Sequence, residues 1–104
     1  MNWDQIYVQG YRHFDCEYIS AASPKFNARH VERRNRKQRT VQDWITKTRN
    51  LIESPNPPTT KQEAVAALSP IMAYLLWSIF KMLAIKIIEW VWDHYQDQQR
   101  AGAT

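Results

Sequence analysis

Glycine, cysteine and the motifs of common enzymes are nearly absent from this sequence. Gly10 and Gly102 are its only glycines, so the chain has no glycine-rich loop to hold a nucleotide phosphate. Cys16 is the only cysteine, which excludes an intramolecular disulfide framework. The first twenty residues also lack the basic start and continuous apolar stretch of a signal peptide. We therefore expect any contact with a membrane to come from a later segment.

Side chains suited to catalysis or metal binding are few and poorly spaced. His13, Asp15, Cys16 and Glu17 form one short polar cluster, and His30 is a second candidate ligand. Zinc sites pair closely spaced Cys or His residues with a second such pair, and this spacing matches none of them. Cys16 as a nucleophile, with His13 or His30 as its base, is the one candidate for nucleophilic catalysis. We expect no enzyme activity, no metal, no cofactor and no small-molecule substrate.

Positive charge is concentrated in one segment of the chain. Residues 25–49 contain nine Lys or Arg against Glu32 and Asp43, a net charge of +7, whereas the whole chain has a net charge of +4. Six of these side chains form an arginine-rich patch, namely Arg29, Arg33, Arg34, Arg36, Lys37 and Arg39. The patch predicts contact with an acidic surface, for which nucleic acid, anionic lipid and acidic protein are candidates. A solvated face without a partner is the alternative.

The amino-terminal residues 1–24 are predicted to form an aromatic amphipathic segment. Its large apolar side chains recur at the spacing of one helical face, at Trp3, Tyr7, Tyr11, Phe14 and Tyr18. A β-hairpin that turns at Gln9 and Gly10 is the competing interpretation, because an interior glycine weakens a helix by about 1 kcal/mol. An aromatic face of this kind needs a partner surface, either in this chain or on another subunit.

Residues 25–53 are predicted to form a basic helical region, followed by a proline-rich linker at 54–60. Val41, Trp44 and Ile45 begin the pattern of an amphipathic helix, and Thr40 has the chemistry of its N-cap. The linker reads SPNPPTT, which is typical of a stiff, extended segment. Thr60 followed by Glu63 has the spacing of a capping box, which predicts that a new helix begins there.

One long apolar helix is predicted at residues 61–98, with a flexible tail at 99–104. Pro70 falls inside it and predicts either a kink or an end and restart. Residues 71–92 include 18 apolar residues among 22. At about 1.5 Å per residue, this length is enough to cross a hydrocarbon layer of about 30 Å. The fold class we expect is therefore all-α, with a long carboxy-terminal transmembrane helix.

Aromatic and polar side chains refine the interpretation of residues 71–92. Aromatic residues typical of membrane interfaces bracket the stretch, at Tyr74, Trp77, Trp90, Trp92 and Tyr95. A narrow polar stripe runs along it, made of Ser78, Lys81, Lys86 and Glu89. Two lysines within a span cost about 2.5–3.5 kcal/mol each, which cancels the gain from its aliphatic residues. We therefore expect this helix to span only when a partner covers the stripe.

The first hypothesis is a non-enzymatic, single-span membrane protein that serves as a small structural or accessory subunit. Its assembly would be a membrane complex or a lipid-containing virion, contacted through residues 71–92 and the aromatic amino-terminal face. The basic region would lie on the cytoplasmic or interior side against an acidic surface. Alternatively, residues 71–92 lie in the membrane interface. The second hypothesis is a soluble helical oligomer that binds nucleic acid through residues 25–39.

Overall fold

The computed structural model describes residues 2–20, 28–75 and 78–102, and these residues form four α-helices without a strand. The helices are α1 (Trp3–Ser20), α2 (Ala28–Ile52), α3 (Lys61–Met72) and α4 (Ser78–Gly102). The prediction of an all-α chain is confirmed. α1 runs without interruption through Gln9 and Gly10, so the hairpin alternative does not apply.

The prediction of one long transmembrane helix over residues 71–92 is wrong. α3 passes through Pro70 and ends at Met72, and α4 begins at Ser78, so two helices share the apolar stretch. The amides of Tyr74 and Leu75 donate to the carbonyls three residues earlier, which tightens the chain as it leaves α3. Within the described ranges, no helix has both the length and the apolar character needed to cross a membrane. The single-pass localisation and its orientation are therefore not supported.

Part of the hydrophobicity that suggested a lipid-facing surface belongs instead to the face of α4 that lies in the protein core. Ala84, Ile87, Ile88 and Val91 have no exposed surface, and Trp92 is 6% exposed. Fully burying an aliphatic side chain of this size contributes about 1.5–3 kcal/mol. A helix that buries one stripe shows the same composition as a short span, which explains why residues 71–92 resembled one.

α1 and α2 form an antiparallel pair. Near the start of α1, Trp3 Nε1 donates a hydrogen bond of 2.9 Å to Glu53 Oε1, just beyond the end of α2. One turn later, the hydroxyls of Tyr7 and Thr46 are 2.6 Å apart. The contacts therefore move backwards along α2 as they move forwards along α1. Trp3 and Tyr7 of the predicted aromatic face thus have their partners within this chain.

α3 and α4 form the second antiparallel pair. At the start of α3, Lys61 Nζ lies 2.9 Å from Asp93 Oδ1 in the second half of α4, whereas the short connection after Met72 joins the opposite ends. All four helices contribute buried apolar side chains to one cluster. They are Trp3 and Ile6 of α1, Val41, Trp44, Ile45 and Ile52 of α2, Ala64, Leu68 and Met72 of α3, and Ala84, Ile87, Ile88, Val91 and Trp92 of α4.

Gly10 lies where α1 packs closely against side chains of both α2 and α4. A Cβ atom at this position would lie 2.8 Å from Cδ1 of Ile45 and 3.3 Å from Cζ3 of Trp90. Ile45 is fully buried and therefore has little space into which to move. Close packing thus explains why a glycine stands at this position inside a helix, although it weakened the helix prediction.

We expect the Ile88→Ala substitution in α4 to lower the free energy of unfolding by about 2–5 kcal/mol, because it opens a cavity in the core. Met82→Ala in the same helix is the matched control, since Met82 is 59% exposed. Its effect should stay within about 0.5 kcal/mol. Urea unfolding followed by circular dichroism measures both changes. Equal effects of the two substitutions would show that this face of α4 is not in the core.

We also expect Gly10→Leu to destabilise the protein by about 1–3 kcal/mol, because the added side chain has no room between Ile45 and Trp90. Gln9→Leu adds the same side chain at the exposed neighbouring position of α1 and serves as the control. The same unfolding measurement compares them. A Gly10→Leu variant as stable as Gln9→Leu would contradict the close approach of the three helices.

Candidate functional site

The character of α2 changes at Val41. From there to its end, one face of the helix is buried, through Val41, Trp44, Ile45, Thr48 and Ile52. Residues 28–40, which we call the basic arm, contain only Ala28 and Val31 as apolar residues. The arm has six basic side chains against Glu32, and it extends about 20 Å along the helix axis. α2 is thus one continuous helix with an anchored half and a charged half.

The six predicted phosphate-contact residues all belong to the basic arm. The structure describes the side chains of Arg36 and Arg39, and both are exposed. Arg29, Arg33, Arg34 and Lys37 occupy helical positions of α2, but their side chains lie outside the described part. Positions 29, 33 and 36 follow the i, i+4, i+7 spacing of one helix side. The backbone therefore aligns part of the predicted patch in one row.

A shallow groove lies where the basic arm meets α1. We call it the arm groove, and it is lined by Tyr11, Asn35, Gln38, Arg39 and Gln42. Each amide offers a donor group and an acceptor, and the guanidinium offers five N–H donors. Burial raises the pKa of Tyr11 above its ordinary value of 10.0, with smaller contributions from Tyr7 and Asp43. The Tyr11 hydroxyl therefore stays protonated at neutral pH and can both donate and accept.

Sequence reasoning did not identify the arm groove. Positions 35, 38 and 42 are three and four residues apart, which places them on one side of α2, and that spacing was a usable signal. Tyr11 was interpreted only as part of an apolar face. Its place beside Gln42 follows from the antiparallel pairing of α1 with α2, which no local pattern specifies.

The aromatic residues predicted for membrane interfaces lie in different environments. Trp92 is buried, Tyr95 is half-buried, Tyr74 is 87% exposed just after α3, and Trp77 lies outside the described residues. Trp90 packs against the rings of His13, Phe14 and His94, with centroid distances of 5.8, 5.9 and 4.0 Å. No described helix is long and apolar enough to cross a membrane, so the span that these residues were predicted to bracket is not supported.

The predicted polar stripe lies along α4. Ser78 is the first residue of the helix, Lys81 and Lys86 are exposed, and Glu89 is half-buried. The buried residues Ala84, Ile87, Ile88 and Val91 occupy the other side. Lys81, Lys86 and Glu89 therefore lie on the outer side of an amphipathic core helix, and the intramembrane role predicted for the stripe is not supported.

The start of α3 adjoins a second polar groove, which Lys61, Asp93, Asp97 and Arg100 help to line. Helix N-termini attract anions, but at this one the side chains of Thr60 and Glu63 already occupy the position that an anion would take. The Thr60 hydroxyl accepts a 3.1 Å hydrogen bond from the Glu63 amide, which confirms the predicted cap. The Glu63 carboxylate accepts 2.8 Å hydrogen bonds from the amide and hydroxyl of Thr59. This helix end is therefore already occupied by a negative group.

Most side chains of the polar cluster near Cys16 lie outside the described part of the structure. In the part of the chain that the structure describes, no three His, Cys, Asp or Glu side chains converge on a point that could hold a metal ion. His13 packs by Trp90, whereas the side chains of Asp15, Cys16, Glu17 and His30 lie outside that part.

Comparison with known proteins gives no match to a protein-family model, to a curated protein or to a solved structure. The basic arm with its adjoining groove combines exposed positive charge with hydrogen-bonding side chains.

The Glu63 cap predicts a specific dependence of stability on acid. Hydrogen bonds from the Thr59 amide, the Thr59 hydroxyl and the backbone of Thr60 lower the pKa of Glu63 below its ordinary value of 4.5. A carboxylate with a lowered folded-state pKa stabilises the fold above its unfolded-state pKa, and that contribution is lost as pH falls through the folded-state value. We expect Glu63→Gln to remove this part of the acid dependence.

Urea unfolding midpoints between about pH 7 and about pH 3 measure the effect. The loss of stability on acidification should be smaller in Glu63→Gln than in the unmodified protein. Asp43→Asn removes an exposed carboxylate from α2 instead of from the cap and serves as the matched control, whose acid dependence should stay closer to that of the unmodified protein. An unchanged acid dependence in Glu63→Gln would contradict the assigned role of the cap.

Proposed function

We propose that this protein is a non-enzymatic helical binding module that holds nucleic acid through the basic arm. The observation that supports this most directly is the exposed polar surface of α2 at residues 35–42. Asn35, Arg36, Arg39 and Gln42 are all exposed there, on the same helix whose other half is anchored in the core. A phosphate backbone would meet cations and hydrogen-bonding side chains on one rigid element.

The charge distribution favours an extended polyanion as the partner. The arm has a net charge of +5, whereas the rest of the chain has a net charge of −1. An elongated acidic ligand would therefore be oriented onto the arm rather than attracted evenly to the whole molecule. Five of the six basic residues are arginines, whose planar guanidinium groups bind phosphate oxygens through paired hydrogen bonds.

The anchoring of α2 supports binding because the arm does not depend on its own apolar contacts for position. Val41, Trp44 and Ile45 begin the buried stripe directly after the arm. A helix that is already formed loses less conformational entropy on binding than a segment that folds on its ligand. The arm can therefore present its charges in a fixed row.

The side chains between the arginines favour nucleic acid over an acidic protein. Asn, Gln and Arg are the residues that form hydrogen bonds with base edges and sugars, and Asn35, Gln38 and Gln42 adjoin Arg36 and Arg39. Protein interfaces are instead centred on aromatic and aliphatic side chains. The arm has only Ala28 and Val31 of that kind.

We expect the double substitution Arg36→Ala/Arg39→Ala to weaken nucleic acid binding about tenfold or more at moderate salt. Each phosphate contact contributes about 0.9 to the slope of log affinity against log salt concentration, so the slope should fall by about 2. Fluorescence anisotropy with labelled DNA and RNA oligonucleotides, over a series of salt concentrations, measures both quantities.

The matched control is Lys81→Ala/Lys86→Ala, which removes two exposed positive charges from α4. It should change affinity and salt slope much less than the arm variant. Equal losses in the two variants would mean that only net charge matters and that the arm is not the site. Polyglutamate serves as a comparison ligand. If it binds as tightly as nucleic acid with the same slope, the partner is an acidic protein and the proposal fails.

A further inference from the structure

We propose that the arm groove binds an unpaired nucleobase, so that the protein prefers single-stranded over double-stranded nucleic acid. This inference rests on the proposed function and adds the form of nucleic acid that the site selects. It follows from what the groove contains, where the groove lies relative to the arginines, and how α1 restricts access to it.

The groove contains the two kinds of group that bind a base. Tyr11 supplies an aromatic ring, and bases stack on such rings with little regard to sequence. Asn35, Gln38 and Gln42 supply amides that can pair with the donors and acceptors of a base edge. The protonated Tyr11 hydroxyl adds one further donor. A base could therefore contact a ring and several hydrogen-bonding groups at the same place.

The position of Tyr11 is well defined by its surroundings. Its ring centroid lies 6.5 Å from that of Tyr7 one turn earlier on α1, and Tyr7 contacts Thr46 of α2 through a 2.6 Å hydroxyl contact. The antiparallel pairing of the two helices thus places the Tyr11 ring before any ligand binds. A ring that is already positioned loses little side-chain entropy when a base stacks on it.

The charges around the groove suit a neutral base better than a phosphate. Arg39 lies at one side, within reach of the phosphate path along the basic arm. The negative charge of Asp43 acts on Tyr11, so it would also repel a phosphate placed beside the Tyr11 ring. A phosphate would therefore be attracted to Arg36 and Arg39, and the attached base would reach the groove. One nucleotide would then contact both surfaces.

Access to the groove favours an unpaired base. A helix that reads duplex DNA must project into the major groove. Here α1 packs against α2 and places Tyr11 beside the three amides, so this part of α2 cannot enter a duplex groove without α1. In a duplex, the bases are stacked and their pairing edges are occupied. A single strand can turn one base outward, as in most sequence-specific recognition of RNA loops.

The test compares a labelled single strand with its duplex, using anisotropy at fixed salt. We expect the unmodified protein to bind the single strand at least about tenfold more tightly. Tyr11→Leu should lose about tenfold in affinity for the single strand and almost nothing for the duplex. Tyr11→Phe keeps the ring and should keep the preference. Gln42→Ala, at an exposed position, should reduce it without disturbing the core.

Tyr95→Leu is the control, since it removes a half-buried aromatic ring from α4, outside the groove. It should leave the preference unchanged, and urea unfolding checks that each variant is folded. If the protein binds both forms equally while Arg36→Ala/Arg39→Ala still weakens binding, the groove inference fails and the proposed function stands. If neither form binds, both fail. If Tyr11→Phe loses the preference as fully as Tyr11→Leu, stacking is not its source.

Discussion

The buried apolar stripe of α4 holds the two antiparallel helix pairs together. α4 contacts α1, α2 and α3, and its residues Ala84, Ile87, Ile88 and Val91 are removed from solvent by these contacts. Each larger aliphatic side chain contributes about 1.5–3 kcal/mol when it is fully buried. Because a helix turns 100° per residue, the same segment must place polar side chains on its other side. Lysines and a core stripe therefore coexist on one helix.

This packing determines how α2 is divided. Among the described side chains of α2, the buried apolar ones begin at Val41, so it is this half of the helix that needs apolar residues. The remaining 28–40 segment can have almost any polar composition. An isolated helix of this length would be marginally stable in water, because nucleation is costly. Continuity with the anchored half supplies the nucleus, and the core thereby positions a highly charged surface that could not position itself.

The periodic parts of the chain and the non-helical connection at 54–60 could be predicted from sequence, whereas the break after Met72 and the pairing of the helices could not. The spacing of Tyr7 and Tyr11 indicated α1, and Thr60 indicated the start of α3, because these signals are local. The break after Met72 was missed, since an apolar run looks alike in one helix and in two. Thr40 suggested a helix start, but its hydroxyl donates to the Arg36 carbonyl inside α2. The basic patch could be identified from the sequence. The arm groove beside it could not, because it depends on the pairing of α1 with α2.

The core and the candidate site are linked through adjacent residues of α1. Gly10 lets α1 approach Ile45 and Trp90, and the next residue, Tyr11, lines the arm groove. A larger side chain at position 10 would meet the Cδ1 methyl of Ile45, so either the Ile45 side chain or α1 itself must shift. A shift of α1 would move the Tyr11 ring relative to the amides of α2 even if no groove residue changed. The geometry of the site is therefore set by a close packing contact in the core as much as by the residues that line it.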